Sequence, residues 1–201
     1  MRTRSPAIIV AALTLALSAC IPSLNPYFAP KDVVSDARLV GEWKADDDSM
    51  TWRFEDNGDK SYTLTVTEKE SKSGILSAHL FTIGNERFLD LIPTTCEFAK
   101  DQSDLVSMAV FPGHVLAHVT SIDPQLKVSF IDWDWLKKFL EQTPDALAHH
   151  IENKDQMILT ANTRDLQRFV SKHLGPGELF AADVGTFVRV PSTEAAPAKN
   201  P

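Results

Sequence analysis

Alternation of apolar and polar residues is the feature that most constrains the fold of this chain. In the segment SYTLTVTE, Tyr62, Leu64 and Val66 fall on one side of an extended backbone, and threonines fall on the other. A period of two is the geometry of a half-buried β-strand. Trp52 and Phe54 alternate with charged residues in the same way. The first two-thirds of the chain is therefore predicted to consist of strands.

Turn sequences separate these strands at short intervals. The stretches EDNGD, IGNE, FPGH and IDPQ contain glycine or proline, which mark turns. A further alternating run, with Leu126, Val128 and Phe130, follows the last of them. Short strands joined one to the next form an antiparallel meander, which either stays an open sheet or curls into a barrel.

In the C-terminal third of the chain, apolar residues recur at the spacing of a helix instead of alternating with polar residues. Asp132 is placed to cap a helix in DWDWLKKFLEQ. The apolar face of that helix consists of Trp135, Leu136, Phe139 and Leu140. A second short helix is predicted in TPDALAHHIE, and a third in NTRDLQRFVSKHLGPG, capped by Asn162 or Thr163. MILTA and GTFVRV are predicted strands. The predicted fold class is mainly β (α+β): an antiparallel meander curled into a barrel, with two or three accessory helices.

The N-terminus has the layout of a secretory signal. Arg2 and Arg4 precede an apolar run over residues 7–17, and small residues lead to Cys20. The run is shorter than the ~20 residues that a membrane-spanning helix needs. The ending LSAC resembles the lipobox of bacterial lipoproteins.

That resemblance implies cleavage before Cys20 and attachment of lipid to its thiol. The recognition positions of the lipobox are matched by Leu17, Ser18 and Ala19. Ile21 follows the cysteine, where lipoproteins retained in the inner membrane often carry aspartate, so the resemblance favours the outer membrane. The alternative is an ordinary secreted protein in which Cys20 is a plain thiol.

Four regions follow from these patterns. Residues 1–19 are predicted to be a lipoprotein signal peptide, and residues 20–32 a lipidated cysteine and proline-rich tether. Residues 33–191 are predicted to form the barrel domain, and residues 192–201 a disordered tail. The mature chain is long enough to bury roughly 70% of its unfolded surface.

The segment LVGEWK resembles the opening signature of lipocalins and related calycins. Gly41 and Trp43 take the signature positions, where the family's tryptophan plugs the closed end of the barrel. FLDLIP, DWLKKFL and LTANTRDLQRFVSKHL are similar to segments of uncharacterised bacterial lipoproteins with lipocalin-like barrels. The chain departs from lipocalins in carrying helices before its last strand. The alternative role for Trp43 is simple core packing.

For each of the following candidate reactive residues, a purely structural role is preferred to a catalytic or metal-binding role. His114 and His118 fall in a predicted strand ~13 Å apart, too far to share one zinc ion. His149 and His150 are predicted at an exposed helix end, and Cys96 is predicted to be a buried structural thiol. The acidic stretches ADDDS and EDNGD lack calcium-loop spacing and are predicted to be solvated turns.

Asp132 and Asp134 flank Trp133 in the manner of the paired carboxylates that cleave glycans. The start of a helix also favours acidic residues, and this structural interpretation is preferred.

The expected function is that of a binding or interaction lipoprotein on the periplasmic face of the bacterial outer membrane. Its expected partners are the membrane, through the lipid, and a small apolar molecule or an envelope protein. The net charge of −7 argues against nucleic acid. One alternative is a structural or assembly lipoprotein without a small ligand. The other is an envelope hydrolase using Asp132, Asp134 or Cys96. No enzyme activity, cofactor or metal is expected.

Overall fold

The alternating segments form the strands of a closed antiparallel barrel. A computed structural model describes residues 21–69, 72–94, 112–153, 156–182 and 185–191. The first strands in chain order are β1 (Gly41–Ala45), β2 (Met50–Asp56), β3 (Ser61–Glu68) and β4 (Ser73–Ile83). They are followed by β5 (Glu86–Pro93), β6 (Val115–Ser121) and β7 (Gln125–Phe130). β10 (Gly185–Arg189) pairs with both β7 and β1 and closes the barrel. The predicted fold class is confirmed.

Two helices and a hairpin lie between β7 and β10, and we call residues 131–182 the insertion. Its elements are α1 (Trp133–Gln142), β8 (His149–Asn153), β9 (Gln156–Leu159) and α2 (Thr163–Lys172). Asp132 accepts a hydrogen bond from the Trp135 amide at 2.9 Å, so the predicted cap of α1 is confirmed. Asn162 caps α2 by accepting from the Asp165 amide at 3.1 Å.

The short helix predicted in TPDALAHHIE is wrong. Pro144 begins a single 3₁₀ turn, Pro144–Ala146, and the chain then becomes strand β8. His149 and His150 pair with Leu159 and Ile158, so they do not lie at a helix end. Pairing with β9 is a tertiary contact, and it outweighs the helical preference of the local sequence.

Two hydrophobic cores lie on opposite sides of the barrel wall. The inner core contains the inward-facing residues of the strands, as the period of two predicts; its largest members include Trp43, Trp52, Phe54 and Tyr62. The outer core lies between β4–β6 and the insertion; it includes Phe81, Phe88, Leu116, Leu136 and Phe169. The insertion is therefore packed against the outside of the barrel.

The proline-rich N-terminal segment is part of the fold. Ile21, Ser23 and Tyr27 are buried, and the backbone of Val34 donates to the Leu80 carbonyl of β4 at 2.8 Å. The expectation that this segment is a tether lifting the domain away from a membrane is wrong for residues from Ile21 onward. We call residues 21–34 the N-terminal strap.

Candidate functional site

One end of the barrel is closed where the chain enters β1. The 3₁₀ turn Ala37–Leu39 places Leu39 in the inner core, and its carbonyl accepts the Trp43 indole N–H at 2.8 Å. Arg189 lies over the Trp43 ring, 4.1 Å from the ring centroid. Its guanidinium donates to the Val40 carbonyl at 2.8 Å and to the Arg38 carbonyl. We call this the closed end.

Gly41 provides the backbone conformation that this arrangement needs. Its φ is +121°, a region that side chains disfavour, and a Cβ there would lie 2.7 Å from Arg189 Nη1. The glycine of the G-x-W pattern thus has a steric explanation that is independent of the resemblance.

Replacing Gly41 by alanine is expected to lower the free energy of unfolding by about 1–3 kcal/mol, because a Cβ strains the backbone at this φ. Gly74→Ala is the matched control, since Gly74 lies in an exposed strand position with open space around it. Urea denaturation of both variants checks the prediction. Equal unfolding midpoints would contradict the steric argument.

The N-terminal strap runs between the barrel and the insertion and is bonded to both. The Ser23 backbone exchanges two hydrogen bonds of 2.9 Å with the His114 backbone, beside β6. On the other side, the Leu24 amide donates to the Leu159 carbonyl of β9 at 2.9 Å. Thr163 Oγ1, at the start of α2, donates to the Pro26 carbonyl at 2.8 Å. The strap therefore joins the two halves of the structure.

A buried carboxylate holds the middle of the strap. Asp90 on β5 is fully buried on the outer face of the barrel. Its Oδ2 accepts the Tyr27 backbone N–H at 2.8 Å, and its Oδ1 lies 2.6 Å from His114 Nδ1. A buried carboxyl group whose two oxygens both have hydrogen-bond partners avoids the cost of burying an unsatisfied polar group. This cluster fixes the position of the strap on β5 and β6.

His79 lies next to this cluster and faces the strap. Its ring stacks on Phe28 with centroids 4.5 Å apart, and it pairs with Asp90 across β4 and β5. Burial lowers the pKa of His79 below its usual 6.5, and His114 acts in the same direction, whereas Asp90 and Asp59 oppose the shift.

The stability of the fold is therefore expected to fall as the pH falls below 6.5. In that range the unfolded chain binds a proton at His79 that the folded chain does not bind, so acid favours unfolding. His79→Phe keeps the ring and removes this effect. The carboxyl groups with lowered pKa, such as Asp36 and Asp59, titrate below 3.8 and do not contribute in this window. Urea midpoints at pH 7.5 and 5.5 check the prediction, and an unchanged pH dependence in the variant would contradict it.

Aromatic side chains fill the barrel interior. Trp52 lies 4.7 Å from Phe187 and 6.4 Å from Phe130, measured between ring centroids. Phe54 and Tyr62 continue the cluster at 6.0 and 6.3 Å. The Trp52 indole N–H is buried, and among the residues that the structure describes it has no hydrogen-bond partner.

At the end opposite the closed end, four inward-facing side chains are only half-buried, beside the buried Ala45, Met50 and Leu91. The residues with this partial exposure are Val66, Leu76, Val115 and Phe130. We call this end the barrel mouth. Residues 95–111, between β5 and β6 in the sequence, lie outside the described part of the chain.

The predicted reactive residues are not brought together. His118 lies on β6 as expected, and its Nε2 is 2.8 Å from Glu86 Oε2. Asp132 is used as a helix cap, and Asp134 is exposed in the first turn of α1. Within the described ranges, no group of three or more His, Cys, Asp and Glu residues could hold a metal ion. Cys20 and Cys96 lie outside the described residues.

Two residues of this arrangement were not identified from the sequence. Asp90 is an acidic residue inside the apolar run RFLDLIP. An acidic residue in such a run could have indicated a buried carboxyl group. Arg189 is an ordinary alternating residue of the last strand, and its position over Trp43 depends on barrel closure.

Comparisons with protein families, with curated proteins and with solved structures find no match for this chain. The fold itself is a closed eight-stranded antiparallel barrel compatible with a calycin-like architecture. Among the described residues, the helices are too short or too polar to span a bilayer.

Proposed function

We propose that this chain is a lipid-anchored binding or interaction protein of the bacterial cell envelope, held through Cys20 on the periplasmic face of the outer membrane. The supporting observation is that the LSAC motif ends directly before the first residue of the strap. Cleavage before Cys20 would leave every described element intact, because the described part of the chain begins at Ile21. The acyl chains supply the membrane affinity that the acidic domain does not supply.

Membrane fractionation of the expressed protein tests the anchor. The wild-type chain is expected in the outer-membrane fraction, with a mass showing cleavage before Cys20 and added acyl groups. Cys20→Ser is expected to lose both properties, whereas the matched variant Cys96→Ser keeps them. An unmodified wild-type chain, or a Cys20→Ser variant that fractionates like wild type, contradicts the proposal.

The packed interior favours the barrel as a scaffold for contacts with another envelope component. The inner core consists of buried side chains from every strand of the barrel. Native mass spectrometry of protein extracted from its own membrane is the appropriate test, because a bound partner of any kind adds its mass to that of the chain. A co-purifying protein supports this function, and a chain that is recovered alone at all detergent concentrations contradicts it.

A small ligand in the barrel mouth is the second candidate. The buried, unpartnered Trp52 N–H would donate to a ligand, and the half-buried apolar residues of the mouth would contact its hydrocarbon part. The ligand class is therefore a small apolar molecule with one hydrogen-bond acceptor. In the same native spectra, a bound small molecule that is lost in Trp52→Phe supports this candidate. Ligand-free wild-type protein contradicts it.

A further inference from the structure

The chain next to the proposed lipid site has no free spacer. Ile21 directly follows Cys20 and is only 2% exposed. The backbone of the next three residues is hydrogen-bonded to His114 and to Leu159 of β9. Consecutive Cα atoms are ~3.8 Å apart, so the lipid-bearing residue lies about 4 Å from a residue that is fixed in the fold. A free tether of residues 21–32 would instead reach about 40 Å.

Strand register places Ile21 on the outside of the barrel wall, between its two ends. Ser23 pairs with His114 in the antiparallel direction, so Ile21 is level with Leu116 on β6. Leu116 is in turn paired with Asp90, in the middle of β5. Ile21 and Leu116 both belong to the outer core, which lies between the barrel and the insertion. The proposed lipid is therefore attached to the β5–β6 side of the barrel.

The opposite side of the barrel is formed by β1, β2 and β3. In the closed order of eight strands, β2 is four strands away from β6 in both directions. Strands ~4.8 Å apart and tilted by about 40° give a barrel about 15 Å across. The insertion packs on the other side and adds a layer about 10 Å thick. The outer face of β2 is therefore about 25 Å from the insertion.

Two exposed hydrophobic side chains lie on the same side as Ile21. Of the large hydrophobic side chains that are exposed in the described part of the chain, Leu24 (40%) is on the strap and Ile151 (43%) is on β8. The Leu24 amide donates to Leu159, the last residue of β9, and Ile151 pairs with Met157 of the same strand. Parallel pairing of the strap with β9 puts Met157 beside Ile21 and Ile151 one strand further out. Exposed apolar side chains at this position suit contact with a bilayer surface.

We infer that the N-terminal strap holds the insertion side of the barrel against the lipid bilayer and turns the wall formed by β1, β2 and β3 toward the periplasm. The inference rests on the proposed lipidation of Cys20. A domain with a fixed residue about 4 Å from the lipid-bearing residue cannot turn that side away from the bilayer, whereas a flexible tether allows every orientation. A partner dissolved in the periplasm then meets the polar outer face of β2 and β3, which includes Arg53, Glu55 and Thr65.

Energy transfer from labelled protein to labelled lipid headgroups tests the orientation. The lipidated protein, with Cys96→Ser, is placed in phosphatidylethanolamine–phosphatidylcholine vesicles and labelled at Thr160→Cys or at Arg53→Cys. Thr160 is exposed and directly follows β9, about 10 Å from Ile21 by the parallel register. Arg53 is exposed on β2, on the opposite side of the barrel.

Transfer from position 160 is expected to be at least about threefold stronger than transfer from position 53, because the two labels differ in height above the headgroups by about 25 Å. Equal transfer from both positions would overturn the inference, since a freely tethered domain averages over its orientations. Stronger transfer from position 53 would also overturn it.

A spacer variant tests whether the strap sets the orientation. Ten Gly and Ser residues inserted between Cys20 and Ile21 leave the hydrogen bonds of the strap in place but give the anchor a root-mean-square reach of about 17 Å. This insertion is expected to remove most of the difference between the two labels. The same ten residues added after Pro201 are the matched control and are expected to leave the difference unchanged. An undiminished difference in the spacer variant would overturn the inference, because the strap would then not set the orientation.

Intact mass and vesicle flotation separate this inference from the proposed function. A chain without acyl groups contradicts both. A lipidated protein that floats with the vesicles but shows equal transfer from the two positions contradicts only the inference. Circular dichroism that matches the parent protein shows that the barrel is intact in each variant.

Discussion

Replacing Trp43 by alanine is expected to lower the free energy of unfolding by about 3–5 kcal/mol, the usual cost of removing a buried aromatic side chain. Trp43 is fully buried, and its removal leaves a cavity where β1, the Leu39 turn and Arg189 meet. The loss would also leave the Leu39 carbonyl without its indole donor. Urea denaturation measures the change.

Two further substitutions separate the contributions to this effect. Trp43→Phe keeps most of the ring but removes the hydrogen bond to Leu39, so a loss of about 1 kcal/mol is expected beyond the change in packing. Trp133→Ala makes the same substitution at a half-buried tryptophan and is expected to cost less than Trp43→Ala. If Trp133→Ala were the more damaging variant, the closed end would not have the importance assigned to it.

The second large effect is expected from Asp90→Ala. Leaving a buried polar group without its hydrogen-bond partner typically costs about 1–3 kcal/mol, and Asp90→Ala leaves two such groups. Here the groups left behind are the Tyr27 amide and the His114 ring. The strap would lose its central attachment to β5, so its amides should also exchange faster than those of the barrel.

Glu86→Ala is the matched control for Asp90→Ala. Glu86 also contacts a histidine of β6, His118, at 2.8 Å, but its side chain is 49% exposed whereas that of Asp90 is fully buried. An exposed pair contributes about 0–1 kcal/mol. Combining Asp90→Ala with His114→Ala in a double-mutant cycle isolates the coupling between them. Similar losses for Asp90→Ala and Glu86→Ala would contradict the assigned role of burial.

The local features of the fold could be predicted from the sequence. Alternation along β2, β3 and β7 is a property of neighbouring residues, and it correctly assigned Tyr62 and Leu64 to the inner core. The helix caps Asp132 and Asn162 were also recognisable, because a cap depends on the residues within the first turn. Helix and strand therefore followed from short-range patterns.

The features that depend on distant contacts could not be predicted in the same way. The proline-rich strap has the composition of a tether. It is held in the fold by backbone hydrogen bonds to His114 and Leu159, which are distant in the sequence. Asp90 is bonded by Tyr27 of the strap and by His114, directly before β6, at separations of 63 and 24 residues along the chain. Strand β8 forms for a similar reason, since β9 supplies the partner.

The candidate site likewise contains residues that were identified from the sequence and features that only the structure shows. Gly41 and Trp43 were identified through their resemblance to a family signature, but the positive φ of Gly41 and the contact with Arg189 become visible only in the structure. Cys20 was identified from the lipobox resemblance, and its lipidation stays a prediction.

Hydrogen exchange of the strap amides tests whether the N-terminal strap, residues 21–34, belongs to the folded unit. The full chain is used, and the amides of Ser23, Leu24 and Tyr27 are compared with those of β5 and β6. The strap amides are expected to be protected at a level similar to the strands, because each donates to a defined acceptor at 2.8 or 2.9 Å. Exchange of these three amides at the rate of an unstructured peptide, with the barrel still protected, would contradict it.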